Sequence, residues 1–126
     1  MRASAGALFS LALAAVVLAG CAAKSSPTAI HHLLFIELKD HGESTSLKDD
    51  CDKLLKPIPG VIGYSCGRHV DTGRAAVDSN YDLAVEVVFA DRSAYQAYLV
   101  HANHTALVER WKSRFASMRR FDFGTE

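Results

Sequence analysis

Two histidines and one tyrosine are the residues whose types and placement could support acid–base chemistry. His32 lies in a strongly apolar run, and His104 lies on an apolar helical stripe, six residues after Tyr98. An imidazole titrates near neutral pH and can take a proton from an acidic C–H or O–H group. A phenol can donate a hydrogen bond to the enolate oxygen that then develops. These three residues are therefore the candidate catalytic group.

Two plainer interpretations of the same three residues stay open. They could form a buried, fully hydrogen-bonded network that fixes the packing of the core. They could also line a pocket that binds a ligand without any reaction. The positions of the three side chains separate these interpretations from catalysis.

Metal binding would need further ligands, and the spacing of the histidines argues against it. His101 and His104, together with His31 or His32, are the residues from which a site could be drawn. The His-x-x-His spacing lacks the Glu and the four-residue interval of a zincin helix, and no cysteine adjoins it. We expect no metal and no other cofactor, and we expect His101 to cap the start of a helix.

The apolar pattern of the chain predicts the elements that must position these side chains. Period-two alternation predicts strands over residues 30–39, 61–70, 81–89 and 118–123. Helical spacing predicts a helix over residues 44–56, a short helix capped by Asp91 and ending at Leu99, and a second segment from His101. The order β-α-β-β-α-β predicts an α+β, ferredoxin-like split βαβ fold: a four-stranded antiparallel sheet with helices on one face.

The last helical segment and the first strand differ in what they bury. The apolar stripe of the helical segment comprises His104, Leu107, Val108, Trp111 and Phe115. The charged residues predicted to face solvent are Glu109, Arg110, Lys112 and Arg114. The first strand is apolar on both faces. We therefore expect a second copy of the chain to cover the face that the helices leave open, in an isologous dimer.

The first 20 residues have the pattern of a lipoprotein signal peptide. Arg2 supplies a positive charge, and an apolar stretch of about 15 residues follows, too short to span a membrane comfortably. The sequence Leu-Ala-Gly-Cys at residues 18–21 looks like a lipobox, in which the thiol of Cys21 receives a diacylglyceryl group. An ordinary cleaved signal with an incidental cysteine is the alternative.

Lipidation of Cys21 would fix the domain to a membrane, because several acyl chains each bury many CH₂ groups. Residues 21–29 carry the lipidated cysteine and a short tether, with Pro27 among small and polar residues. Ala22, rather than Asp, follows the cysteine, which favours the outer membrane if the cell has two membranes. We expect a lipid-anchored protein of the cell envelope.

The other two cysteines, Cys51 and Cys66, belong to the predicted domain. An exported location permits a disulfide between them. Measured from the turn at residues 57–60, Cys51 lies about 10 Å back along a helix and Cys66 about 20 Å along a strand. A disulfide needs Cα atoms within about 7 Å. We favour two buried free thiols, with a disulfide as the alternative.

The composition limits the remaining choices. The chain has 126 residues, which is enough for one domain after removal of a signal peptide. Its 14 basic residues balance 14 acidic ones. No basic stripe is present that could neutralise phosphates, so a nucleic-acid partner is not expected.

Short motifs spread over the predicted domain match one known family. They are Ile-His-His at residues 30–32, Ile-Pro-Gly-Val at 58–61, Gly-Arg at 67–68, Tyr-Asp at 81–82, Phe89, Tyr-Leu-Val-His-Ala-Asn-His at 98–104 and Phe-Asp-Phe at 121–123. In this order they resemble the stress-responsive A/B barrel family, also called Dabb, over residues 30–123. The resemblance implies a ferredoxin-like protomer whose dimer forms a barrel from two sheets. It implies no single activity, because fold does not fix function.

The plant polyketide cyclase of this family is its most informative member. The resemblance matches the cyclase's Tyr and His acid–base pair to Tyr98 and His104, and its first-strand His to His32. Where the family motif usually reads His-Pro-x-His, this chain has Ala102. The change removes a proline well suited to the first position of a helix, so the chain departs from the family motif beside His104.

Two functions from different classes follow. The first is a membrane-anchored dimer whose pocket near His32, Tyr98 and His104 binds a small hydrophobic or carbonyl-bearing molecule, with acid–base chemistry of the polyketide-cyclase type as its candidate reaction. The second is a non-catalytic structural or stress-associated interaction module with a closed interior. A cavity of about a few hundred Å³ beside His104 would favour the first. A third class, an oxygenase-like relative, would need an open haem or flavin cleft, which the sequence does not indicate.

Overall fold

The structure, a computed structural model, describes residues 28–125. The strands are β1 (Ala29–Leu38), β2 (Val61–Gly67), β3 (Leu83–Phe89) and β4 (Phe115–Thr125), and the helices are α1 (Ser44–Leu54), α2 (Arg92–Leu99) and α3 (Ala102–Trp111). All neighbouring strands are antiparallel, in the order β2-β3-β1-β4. This arrangement confirms the predicted α+β, ferredoxin-like fold.

The predicted signal peptide, Cys21 and most of the tether lie outside the described residues. The end of the tether is described, and Ala29 there already belongs to β1 rather than to a linker. None of the helices within residues 28–125 is long and apolar enough to cross a membrane.

The helices α2 and α3 begin at side-chain caps that the sequence predicts. The carboxylate of Asp91 accepts a hydrogen bond from the backbone N–H of Ala94 at 2.8 Å. The imidazole of His101 accepts one from the backbone N–H of Asn103 at 3.2 Å. Each cap satisfies a donor that the first turn of a helix leaves free, and the role expected for His101 is confirmed.

The core lies between the sheet and the helices. Its buried apolar members are Ile36, Leu38, Leu47, Cys51, Leu55, Ile58, Leu83, Val85, Val87, Phe89, Tyr98, Leu107 and Trp111. Trp111 is anchored there because its indole N–H donates to Asp50 on α1 at 2.8 Å. His32 on β1 is buried with this cluster and keeps only 5% of its surface exposed. One face of β1 thus carries a polar residue into an otherwise apolar layer.

Two details of the predicted elements are wrong at the C-terminal end. Phe115 was expected on the helical stripe, but α3 ends at Trp111, a 3₁₀ turn follows over Lys112–Arg114, and Phe115 begins β4 with extended backbone angles. The strand was expected over residues 118–123 and instead runs to Thr125. The reason is tertiary pairing, because β4 forms a ladder along the whole of β1, from Leu38 at one end to Ala29 at the other.

The second strand departs from simple alternation. A register shift between Val61 and Gly63 turns Ile62 outward, where it is 62% exposed. Val61 and Tyr64 therefore pack against the core, whereas simple alternation would place Ile62 on the same face as Tyr64. A bulge of this kind adds one residue to a strand and reverses the alternation beyond it. The strand also ends at Gly67, three residues earlier than expected.

Both cysteines are free, which confirms the favoured alternative, but Cys51 is buried whereas Cys66 is only half-buried. Their thiols also lie closer together than the lengths along helix and strand predict. The two side chains interact, which raises the pKa of Cys51 and lowers that of Cys66. Distances counted along α1 and β2 from one shared turn are misleading, because the connection between the two elements spans residues 55–60. That connection brings the middle of α1 over the end of β2.

Candidate functional site

A cavity of about 440 Å³ lies beneath the helices, against β1 and β4. Its apolar walls include Leu34, Ile36, Leu47, Leu55, Leu107 and Phe115. Its polar lining includes His32, Tyr95, Tyr98 and His104. Pockets for small molecules have this size and this mixture of an apolar wall with a few polar groups.

The junction between α2 and α3 brings Tyr98 and His104 together. Tyr98 lies in the last turn of α2 and His104 in the first turn of α3, with the backbone N–H of His101 donating to the carbonyl of Tyr98 at 3.1 Å. The tight turn sets the centroids of the phenol and imidazole rings 4.7 Å apart. Ala102 takes the first helical position, so the helix forms there without the proline of the family motif.

The hydroxyl of Tyr98 is the unusual atom of the site. Within residues 28–125 it is the only buried side-chain nitrogen or oxygen without a hydrogen-bond partner. Burial, with lesser contributions from Cys51 and Tyr95, raises the pKa of Tyr98, so the phenol keeps its proton at neutral pH. A buried unpartnered hydroxyl costs free energy, about 1–3 kcal/mol. Tyr98 is one of the residues that line the cavity, so this donor lies in the wall beside a bound molecule.

The Nε2 atom of His104 can act as a base. Its Nδ1 lies 3.0 Å from the carbonyl oxygen of Leu99. A carbonyl only accepts, so Nδ1 carries the hydrogen, and in the neutral ring Nε2 keeps its lone pair. Burial lowers the pKa of His104 more than the bond to Leu99 raises it, and nearby His32 lowers it further. The ring is therefore neutral at pH 7 and can accept a proton.

His32 is held by two residues that the sequence did not single out as functional. Its Nδ1 lies 2.5 Å from one carboxylate oxygen of Asp122, and the hydroxyl of Tyr95 donates to the other at 3.1 Å. The carboxylate fixes the Nδ1–H form of His32 and leaves Nε2 free of partners among the described residues. Burial and the hydrogen bond to Asp122 raise the pKa of Tyr95.

The three predicted site residues do converge in the structure. The ring centroids of His32 and Tyr98 lie 6.3 Å apart, and those of Tyr98 and His104 lie 4.7 Å apart. The metal ligands that could be drawn from the sequence do not converge, because His31 lies on the opposite face of the sheet and His101 caps α3. No cluster of three or more His, Cys, Asp or Glu side chains suited to a metal occurs between residues 28 and 125.

Asp122 and Tyr95 are not among the site residues predicted from the sequence, although the sequence contains a signal for each. Asp122 is the centre of the Phe-Asp-Phe motif and pairs across the ladder with His32. Tyr95 precedes Tyr98 by three residues, so both lie on one face of α2. The register of β4 against β1 is what turns these signals into a site, and no local pattern reveals that register.

The fold and the site together define a ferredoxin-like α+β domain with an apolar cavity under its helices that a few polar groups line. Residues 30–125 match the sequence model of the stress responsive A/B barrel domain, Dabb. The chain therefore belongs to the Dabb family. No curated protein is similar enough in sequence to match it.

Solved structures repeat this fold. A Dabb family protein from Mesorhizobium loti is 27% identical, with a TM-score of 0.65, covering 76% of this chain and 95% of its own. A dimeric ferredoxin-like protein of unknown function from Thermobifida fusca is 24% identical, with a TM-score of 0.65 and coverages of 78% and 92%. Hydroxynitrile lyase from Passiflora edulis is 11% identical, with a TM-score of 0.68 and coverages of 79% and 95%. At such identities the last two support the fold alone.

Proposed function

We propose that this domain binds a small, largely apolar molecule with a carbonyl group, and that His104 and Tyr98 exchange a proton with it. The observation that carries the proposal is the buried hydroxyl of Tyr98, a residue of the cavity wall, which has no partner in the described part of the chain. A closed interaction module would have no reason to keep such a donor beside a cavity of about 440 Å³.

The proposed reaction is proton abstraction next to the carbonyl. The ligand's carbonyl oxygen accepts the hydrogen bond of Tyr98, and Nε2 of His104 takes a proton from the adjacent carbon. The C–H electron pair becomes the enolate, whose charge the phenol stabilises, and the proton on His104 returns to carbon or to a second atom of the ligand. His32, fixed by Asp122, offers a second Nε2 for a ligand hydroxyl. The resemblance to the polyketide cyclase supports these roles.

Hydrogen exchange on a simple ketone tests the proposal. Purified full-length protein in D₂O should accelerate deuterium incorporation next to the carbonyl of aryl alkyl ketones, measured by proton NMR. His104→Gln should remove the acceleration, a loss of about 10²-fold or more for a general base. Tyr98→Phe should weaken it less.

The matched control replaces a histidine remote from the cavity. His41→Gln removes an exposed imidazole that pairs with Asp82 and should leave the exchange unchanged. Ketones that raise the melting temperature without any exchange would reduce the proposal to ligand binding. Ketones that neither bind nor exchange would end it.

We further propose that two copies form a dimer through the face of the sheet opposite the helices. That face carries the aromatic rings of Phe121 and Phe123, which are 52% and 48% exposed. The dimeric Thermobifida fusca relative and the expected barrel of the family support this arrangement. Light scattering on the wild type and on Phe121→Glu tests it, since a charge at the interface should yield monomers.

Anchoring in the cell envelope completes the proposal. The lipobox at residues 18–21 and the apolar segment before it support cleavage before Cys21 and lipidation of its thiol. Mass spectrometry of the mature N-terminus should show the acyl chains, and Cys21→Ser should release the protein from the membrane fraction. Fractionation of the two membranes tests the expected location in the outer one.

A further inference from the structure

The cavity has a cationic rim. Lys112 and Arg120 are part of its lining, and no Asp or Glu among the described residues is. The ammonium of Lys112 bonds both carboxylate oxygens of Glu109, at 2.8 and 2.7 Å, so its charge is already balanced. The guanidinium of Arg120 has neither a hydrogen bond nor an ion pair within residues 28–125, whereas Arg119 beside it pairs with Asp78. Arg120 is thus a cation without a partner at the cavity.

The strand register fixes which way Arg120 faces. On β4, Arg120 lies opposite Leu34 and Asp122 lies opposite His32, and paired residues share one face of a sheet. Leu34 and His32 both line the cavity, so Arg120 belongs to the same side. Asp122 is the nearest acid along that face, but its two oxygens are occupied by His32 and Tyr95. The guanidinium is therefore available to a bound anion.

We propose that the ligand of this cavity is an organic anion, an apolar carbonyl-bearing molecule whose carboxylate binds Arg120 at the rim. The inference rests on the proposed function and adds the charge of the ligand to it. A guanidinium presents a planar fork of N–H donors that matches a carboxylate, and the apolar walls accommodate the rest of the molecule. Two residues along a strand span about 7 Å, so the backbone of Arg120 lies about that far along the sheet from the level of His32.

Matched acids and esters test the charge of the ligand. The probes are 3-benzoylpropionate, 4-benzoylbutyrate and 5-benzoylpentanoate, which separate a phenyl ketone from a carboxylate by increasing lengths, and their neutral methyl esters. Calorimetric titration of the full-length protein should give at least one acid that binds about tenfold more tightly than its ester. Arg120→Gln should abolish that preference, and added salt should reduce it.

Arg119→Gln is the matched control, because it removes the neighbouring charge on the other face of β4 and should keep the preference. Arg120→Gln should leave the melting temperature of the free protein nearly unchanged, since it breaks no described contact. Esters that bind as tightly as acids would overturn the anionic ligand and leave the proposed function intact. A preference that survives Arg120→Gln would remove Arg120 as the anchor. Failure of every acid and ester to bind would overturn both proposals.

Discussion

Two adjacent histidines show how differently the two faces of the sheet are built. His31 and His32 follow one another on β1, and each holds a carboxylate at Nδ1: Glu86 at 2.8 Å and Asp122 at 2.5 Å. On the open face, the ring of His31 also stacks on Phe123 at 4.5 Å between centroids. On the helix face, His32 is almost completely buried beside the cavity.

The two faces of the sheet differ in the chemical groups that they offer to a binding partner. The open face leaves aromatic rings exposed, which is surface suited to another protein surface. Within residues 28–125, the helix face leaves a phenol hydroxyl, two imidazole nitrogens and a guanidinium without partners beside a cavity, and such groups suit a small molecule. The same residue type, with the same kind of partner, therefore serves packing on one side and a site on the other.

The largest expected effect compares a phenylalanine from each face. Phe89→Ala on the helix face should lower the free energy of unfolding by about 3–5 kcal/mol, because the ring is fully buried against Tyr95 and Tyr98. Phe121→Ala on the open face should cost less than about 1 kcal/mol in dilute solution, where its ring is half exposed. Urea denaturation measures both. A cost at Phe121 that grows with protein concentration would sharpen the contrast, and equal costs at any dilution would break it.

The next effect compares the two carboxylates. Asp122→Ala should lower the free energy of unfolding by about 1–2 kcal/mol, because it leaves a buried imidazole N–H of His32 without an acceptor. Glu86→Ala should cost less than about 1 kcal/mol, because Glu86 and His31 are both partly exposed to water. Denaturation gives the two costs, and nitrogen-15 NMR of the histidines reports whether His32 keeps its Nδ1–H form. A larger loss at Glu86 would contradict the assignment of faces.

Two tyrosines on α2 give an effect of opposite sign. Tyr98→Phe should raise the stability of the ligand-free protein by about 1 kcal/mol, because it deletes a buried hydroxyl that has no partner among residues 28–125. Tyr95→Phe should lower it by about the same amount, because that hydroxyl donates to Asp122. Melting curves in the absence of ligand distinguish the two. A loss of stability in Tyr98→Phe would show that its hydroxyl already has a partner.

The sequence was sufficient for the fold and for the central part of the site. Alternation along residues 30–38 and helical spacing around Trp111 are strong local signals, and caps such as Asp91 mark helix starts directly. His32 and His104 are recognisable as candidates because each places an imidazole on an otherwise apolar face, where burial of a polar ring is unfavourable unless it bonds or binds something. The resemblance then linked them to Tyr98.

The remainder depended on contacts between distant segments. Asp122 and Arg120 join the candidate site through the register of β4 against β1, which only the folded ladder fixes. Tyr95 joins it from α2 through its hydrogen bond to Asp122. The same ladder extends β4 back to Phe115, against its helical spacing, and a bulge exposes Ile62. Tertiary pairing overrides local pattern at these positions.

The smallest expected effects concern pH and compare His104 with the exposed His41. Burial holds the pKa of His104 below its ordinary value of 6.5, so between those two values the unfolded chain binds more protons than the folded one. Stability contributed by neutral His104 is complete above 6.5 and is lost as the pH falls through the lowered pKa. The hydrogen bond to Asp82 raises the pKa of His41 above 6.5, so its contribution is complete below 6.5 and is lost as the pH rises through the raised value.

Single replacements separate these two slopes. His104→Gln should flatten the decline of the urea midpoint on the acid side of 6.5, while His41→Gln should flatten the decline on the alkaline side. NMR titration of the two imidazoles provides the pKa values themselves, one on each side of 6.5. If both replacements changed the same side of the profile, His104 would be as solvated as His41. The cavity would then lack the water-poor surroundings that keep its base neutral.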